Sequence, residues 1–134
     1  MRLLSVGPTT WIAGYEFALS GVRLLVDRGG TCEYRIVGSG PHQDAVAFAC
    51  HQLGLDGCVE LLPSASPDEL RAHLRWADVL VDAAVAPSAS EPLLNGPAAG
   101  IPVVTTQPSD YGSPTVIAVP PRDPQALCDA LARL

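Results

Sequence analysis

The alternation of strand-like and helix-like segments predicts an α/β protein. The expected architecture is a single Rossmann-like domain over residues 1–134, with a six-stranded parallel sheet and helices on both faces. Three observations carry this expectation. Short apolar runs alternate with segments of helical period along the whole chain, the pattern of successive βαβ units. Runs such as "VLVDAAV" (79–85) are nearly continuous in their hydrophobicity, as suits strands covered on both faces. The chain is 48% hydrophobic but only 5% aromatic, so its core must be built mainly from aliphatic side chains. At 134 residues it is long enough to bury one such core.

Each element has its own signal. "RLLSVG" (2–7) is an apolar run stopped by Gly-Pro. From Tyr15 the period becomes helical, with Ala18, Leu19, Val22 and Leu25 on one face, and Arg28-Gly29-Gly30 ends it. "EYRIVG" (33–38) reads as the second strand. A helix follows with Val46, Ala49, Cys50 and Leu53 on one side and a stop at Gly54. "CVELL" (58–62) is the third strand. Ser66-Pro67-Asp68-Glu69 has the form of a capping box with proline at the first helical position, and Leu70, Leu74 and Ala77 form the expected buried stripe. "DVLVDAAV" (78–85), "PVVTT" (102–106) and "TVIAV" (115–119) supply three more strands. Asp123-Pro124 opens a last helix with Leu127, Ala130, Leu131 and Leu134 facing inward.

Composition also excludes several function classes. The formal net charge is −6 and the eight basic residues are thinly spread, which argues against nucleic acid as a partner. Cys32, Cys50, Cys58 and Cys128 form no C-x-x-C pair, and the three histidines do not join them. No metal site or cofactor is expected, and the cysteines read as buried thiols. "MRLLSVG" breaks at Gly-Pro too early for a signal peptide, and no apolar run approaches the ~20 residues of a membrane span. The expected setting is the cytoplasm.

In a doubly wound sheet, ligands collect outside the carboxyl ends of the strands. Four loops qualify: "GPTTWIAG" (7–14), "GSGP" (38–41), "APSASEP" (86–92) and "TQPSDYGS" (106–113). None carries G-x-G-x-x-G or a Walker lysine. No Ser-His-Asp set or carboxylate pair emerges from spacing, so no catalytic residue is named.

Several segments in order resemble one family. "LLSVGPTTWIAGYEFAL", "YRIVGSGP", "WADVLV", "GPAAGIPVVTT" and "VPPRDPQAL" are similar to the carboxy-terminal lobe of family 4 (group 1) glycosyltransferases of the GT-B fold. The similarity runs from about Leu3 to Leu134. The resemblance implies that this lobe binds a nucleotide-diphosphate sugar, with the acceptor on a second, amino-terminal lobe. It also implies an Arg and a Lys on the loop after the first strand, and an E-x7-E pair after the fourth.

Here those charged positions are replaced. The arginine position falls on Pro8 and the lysine position on Ala13, while Gly7 and Gly14 persist; the two glutamate positions fall on Pro87 and Asn95. The "GFG" between the glutamates reads Ser88-Ala89-Ser90, the aspartate of "VGDGP" is Ser39, and the stretch around Gly112 is shortened. A hydrogen bond involving a charged group contributes roughly 1.5–3 kcal/mol, so losing four weakens donor binding or transfer by about 6 kcal/mol if the terms add. Pro97, beside Gly96, predicts a short or kinked helix near 91–99.

The remaining ligand-contact candidates are Gly7, Pro8, Gly38, Ser39, Gly40, Ser88, Ser90, Glu91 and Asn95. Each has a plainer alternative. Asn95 is a ribose contact or a surface amide, and Glu91 a substitute acid or a residue favouring a helix N-terminus. Trp11 is a base cover, a packing residue or an interface. His42 and Tyr111 are ligand contacts or exposed turn residues. Three functional expectations follow: a degenerate, non-catalytic relative that binds a nucleotide-sugar weakly; the donor-binding part of an enzyme that works with a separate acceptor lobe; or a protein-interaction domain, including a homo-oligomer.

Overall fold

A computed structural model of the chain describes residues 1–86, 96, 99–107 and 115–134. Six strands lie among them: β1 (Arg2–Val6), β2 (Glu33–Val37), β3 (Val59–Leu62), β4 (Val79–Asp82), β5 (Val103–Thr105) and β6 (Val116–Ala118). They form one sheet in the order β3-β2-β1-β4-β5-β6, with every neighbouring pair parallel. The order reverses at β1, which pairs with β2 on one side and β4 on the other. In a doubly wound sheet ligands are received at the carboxyl ends of the strands beside such a switch point.

The helices described are α1 (Tyr15–Asp27), α2 (Gln43–Gln52), α3 (Pro67–Trp76) and α4 (Pro124–Ala132), with a 3-10 turn at Trp11–Ala13. Alternation along the strands divides the core between the two faces. Leu3, Ile36, Val81 and Val104 pack with Ala18, Leu19 and Val22 of α1, Val46 and Cys50 of α2, and Leu127 and Leu131 of α4. Leu4, Val37, Leu80 and Val103 point the other way, toward Leu74 and Trp76 of α3. Burying each such side chain contributes about 1.5–3 kcal/mol.

Two caps set helix starts as the sequence predicts. Ser66 accepts from the Glu69 amide at 3.3 Å while the Glu69 carboxylate accepts from the Ser66 amide at 3.2 Å, a reciprocal capping box. Asp123 accepts from the Ala126 amide at 3.0 Å ahead of Pro124.

Three expectations need correction. Leu134 is exposed rather than inward, because α4 ends at Ala132 and the last residues have left the helix. Leu70 and Leu74 are only half-buried although α3 packs over β1 in the middle of the sheet, Leu70 because it borders an open cleft, and Ala77 is buried beyond the helix end. The fourth strand stops at Asp82 instead of Val85: the Asp82 carboxylate accepts the Ala84 amide at 3.3 Å, a local turn that competes with the ladder. The expected short helix near 91–99 and the shortened stretch at Gly112 fall largely outside the described residues.

Because the capping box is exposed and separate from the core, Ser66→Ala should lower unfolding free energy by about 1 kcal/mol with an unchanged urea m-value. Chemical denaturation monitored by circular dichroism checks this, and a loss below about 0.3 kcal/mol would show that the box contributes little.

Candidate functional site

The loops after β1 and β2 are fastened to each other by their backbones. Gly7 donates its amide to Val37 O at 3.0 Å, Thr9 donates to Ser39 O at 3.4 Å, and His42 donates back to Thr9 O at 3.0 Å. Thr9 is completely buried between them, and its hydroxyl donates to Gln43 Oε1 at 2.9 Å. At its glycines the seam admits no side chain. A Cβ on Gly38, whose φ is +153°, would lie 1.9 Å from Gly7 O, and one on Gly40 would lie 2.7 Å from Thr9 O. The glycines of "GSGP" are thus required by loop-to-loop contact.

A second fastening joins the β1 loop to the exit of β4. Val85 donates to Ile12 O at 2.8 Å, and a Cβ on Gly14 would meet Ala83 O at 1.9 Å. Beneath both fastenings, Ser5 Oγ donates to Val81 O at 2.7 Å. Its single proton is thereby used, so the 2.6 Å contact with Tyr34 is a bond donated by the phenol. This set ties β1, β2 and β4 together. Tyr15 closes it from α1, donating to Gly7 O at 3.2 Å. Burial pushes both phenols well above their ordinary range, with Asp82 adding to the effect at Tyr15, so both remain neutral donors.

The seam forms one wall of a cleft of about 400 Å³. Gly7, Pro8, Gly38 and Ser39 line it, as do Ser64 and Ala65 of the β3–α3 connection and Leu70 of α3. Four of the sequence-derived candidates therefore come together. Gly40 instead abuts Thr9. Ala13, at the lysine position, is half-buried and packs against the core. Ser88, Ser90, Glu91 and Asn95, together with Pro87, Pro97 and Tyr111, lie outside the described residues.

Sequence reasoning missed Ser64, Ala65 and Leu70, because nothing in "LPSAS" distinguishes a cleft wall from an ordinary connection. It also passed over Asp82, whose charge inside an apolar run was a visible signal. Besides the Ala84 amide, Asp82 accepts from the Thr105 hydroxyl at 3.0 Å, and the next hydroxyl, of Thr106, donates to Ala84 O at 2.6 Å. These bonds hold the carboxyl ends of β4 and β5 in register.

Positive charge is sparse in the sequence around these loops. All eight basic residues are arginines, and none occurs between Arg2 and Arg23 or between Arg75 and Arg122. The loops after β1, β4 and β5 therefore carry no permanent cation. Several arginines are paired elsewhere: Arg23 with Asp27 at 2.6 Å, Arg28 with Asp129 at 2.8 Å, and Arg71 with Asp68. The N-terminus of α1 has no side-chain cap, but Glu16 occupies its first turn and offsets the positive end of the helix dipole. Among the described residues no group of three His, Cys, Asp or Glu is placed to hold a metal ion. No described helix is long and apolar enough to cross a membrane.

The seam makes a direct prediction. Gly38→Ala should cost more than about 3 kcal/mol or prevent folding, whereas Gly57→Ala, with open space around it, should change stability by no more than about 0.5 kcal/mol. Equal unfolding midpoints for the two variants would contradict the interlock.

The geometry agrees with what the chain is similar to. The family model described as "Glycosyl transferases group 1" matches residues 1–134. The amylovoran biosynthesis glycosyltransferase AmsK of Erwinia amylovora is 29% identical over 147 residues, covering 100% of this chain and 36% of the relative. The chain thus spans about a third of the curated relatives' length. Among solved structures, a mutant of S. aureus TarM in complex with Fondaparinux, alpha-GlcNAc-glycerol and UDP superimposes with a TM-score of 0.88 at 12% identity, over 99% of this chain and 28% of TarM. The C-terminal domain of the group 1 glycosyl transferase LpcC from Francisella tularensis gives 0.81 at 17% identity, over 99% of this chain and 73% of that one. The chain belongs to the group 1 glycosyl transferases and corresponds to the carboxy-terminal lobe of their GT-B fold.

Proposed function

We propose that this lobe keeps the nucleoside part of a donor site while lacking the charges that hold a diphosphate, and that it does not transfer sugar by itself. The observation that carries the reading is the cleft at Gly7, Pro8, Gly38 and Ser39. It is preformed by interlocked backbones, and Pro8 stands where the family places a cation. Its hydroxyls, backbone groups and apolar wall suit a base and ribose. A diphosphate there would meet a chain of net charge −6 and a β1 loop with no cation. TarM was solved with UDP, which makes a uridine nucleotide the first ligand to test. The four free cysteines accord with a reducing, cytoplasmic setting.

A second reading has its own support. Because the chain spans about a third of its curated relatives, the lobe is also suited to act as the nucleotide-sugar-binding part of an enzyme completed by an acceptor-binding lobe. On that reading the missing charges come from the other lobe.

Calorimetric titration tests the first reading. Uridine, UMP, UDP and UDP-glucose should bind weakly and within about threefold of one another, since no charge-assisted bond rewards the phosphates. Pro8→Arg, at an exposed position lining the cleft, should favour UDP over uridine by roughly tenfold or more. A wild-type chain that prefers UDP to uridine a hundredfold would overturn the proposal. So would the absence of binding by every nucleoside and nucleotide at millimolar concentration.

A further inference from the structure

A groove of about 310 Å³ runs between the 3-10 turn and α2, and it shares no lining residue with the cleft at Pro8. Trp11, Tyr15, Glu16, His42, Ala45 and Ala49 line it. Trp11 is 63% exposed, and Phe48, one helical turn beyond Ala45, is 62% exposed. Two aromatic side chains left in water beside a concave apolar surface mark a contact surface. The carboxylate of Glu16 has no ion-pair or hydrogen-bond partner among the described residues. Arg23, two turns further along α1, is bound to Asp27 and Leu53 O. The groove thus combines an indole face, an alanine floor and an unneutralised acid.

We infer that this groove is a docking site for an arginine-bearing segment of a partner polypeptide, read by Trp11 and Glu16 together. A guanidinium stacks on an indole and is paired by a carboxylate at the same time, while its aliphatic stem lies along Ala45 and Ala49. Phe48 offers the adjoining surface for an apolar neighbour in the same segment. Charge selects the partner. A second copy of this chain meeting the groove through a two-fold contact would set this acidic surface against the same acidic surface, and each copy carries −6. A basic, partly apolar segment is complementary where a second copy is repelled. Such a partner would also bring positive charge beside the β1 loop, which has none.

The test is a titration without nucleotide, so its outcome is independent of the nucleotide reading. The probe is a blocked peptide of leucine and two arginines, with a control that has citrulline for arginine, followed by calorimetry on the full chain. Saturable one-to-one binding should weaken about tenfold on Glu16→Gln and disappear on Trp11→Ala, and the citrulline peptide should bind at least tenfold less well. Circular dichroism and the unfolding midpoint should remain unchanged in both variants, since both side chains project into solvent. No saturable binding by roughly 1 mM peptide would overturn the inference. So would equal binding of the citrulline control, or binding indifferent to both substitutions, which would mean diffuse attraction to an acidic chain. A concentration-dependent dimer that Trp11→Ala abolishes would identify a second copy as the occupant and overturn it equally.

Discussion

Where β1 and β2 deliver their loops, two stretches of backbone meet with no room for a side chain at Gly38 or Gly40, and most of the candidate site depends on that contact. Gly38 approaches Gly7 O so closely that no Cβ is admitted, and Thr9 is buried in the seam with its amide, carbonyl and hydroxyl all bonded. A buried backbone without partners would cost several kcal/mol, so the loops have few alternative conformations. The seam fixes the wall of the cleft, and the 3-10 turn tied to β4 fixes its neighbour. The shape is therefore present before any ligand arrives.

The charge distribution tells a different story from the shape. Group 1 relatives are implied to place cations at the positions of Pro8 and Ala13. These two positions are not equivalent here. Pro8 is exposed on the cleft, so a guanidinium placed there would reach it, whereas Ala13 is packed toward the core and a lysine would have to snake outward from a half-buried site. Restoring the first charge is a surface change; restoring the second disturbs packing. Loss of the pair thus divides into a chemical part and a steric part. Glu16 in the first turn of α1 adds negative potential where an anion would otherwise find helix amides.

The fold was legible because period and punctuation agree. Six apolar runs and the Ser66 and Asp123 caps predicted elements that the structure contains, and the misjudged positions were at edges. Leu134 lies past the end of its helix, and Leu70 and Leu74 are only half-buried on α3. Periodicity reports which side chains share a face, not how much of that face another element covers. The site was legible only in part. Gly7, Pro8, Gly38 and Ser39 were reached through the family pattern, while Ser64, Ala65 and Leu70 entered the cleft through a connection with no motif. Asp82 was visible as a lone acid in an apolar strand, but its partners Thr105 and Ala84 are set by parallel register, which one sequence does not display.

Nuclear magnetic resonance reads both halves of the proposed arrangement at once, the nucleoside cleft and the absence of phosphate-binding charge. In a titration with UDP, amide resonances of Gly7, Gly38, Ser39 and Ala65 should move along saturable curves. The phosphorus resonances of the nucleotide should change little, and addition of salt should leave the affinity almost unaltered. Large phosphorus shifts with an affinity that collapses in salt would contradict the account, as would UDP-induced shifts that leave those four amides in place.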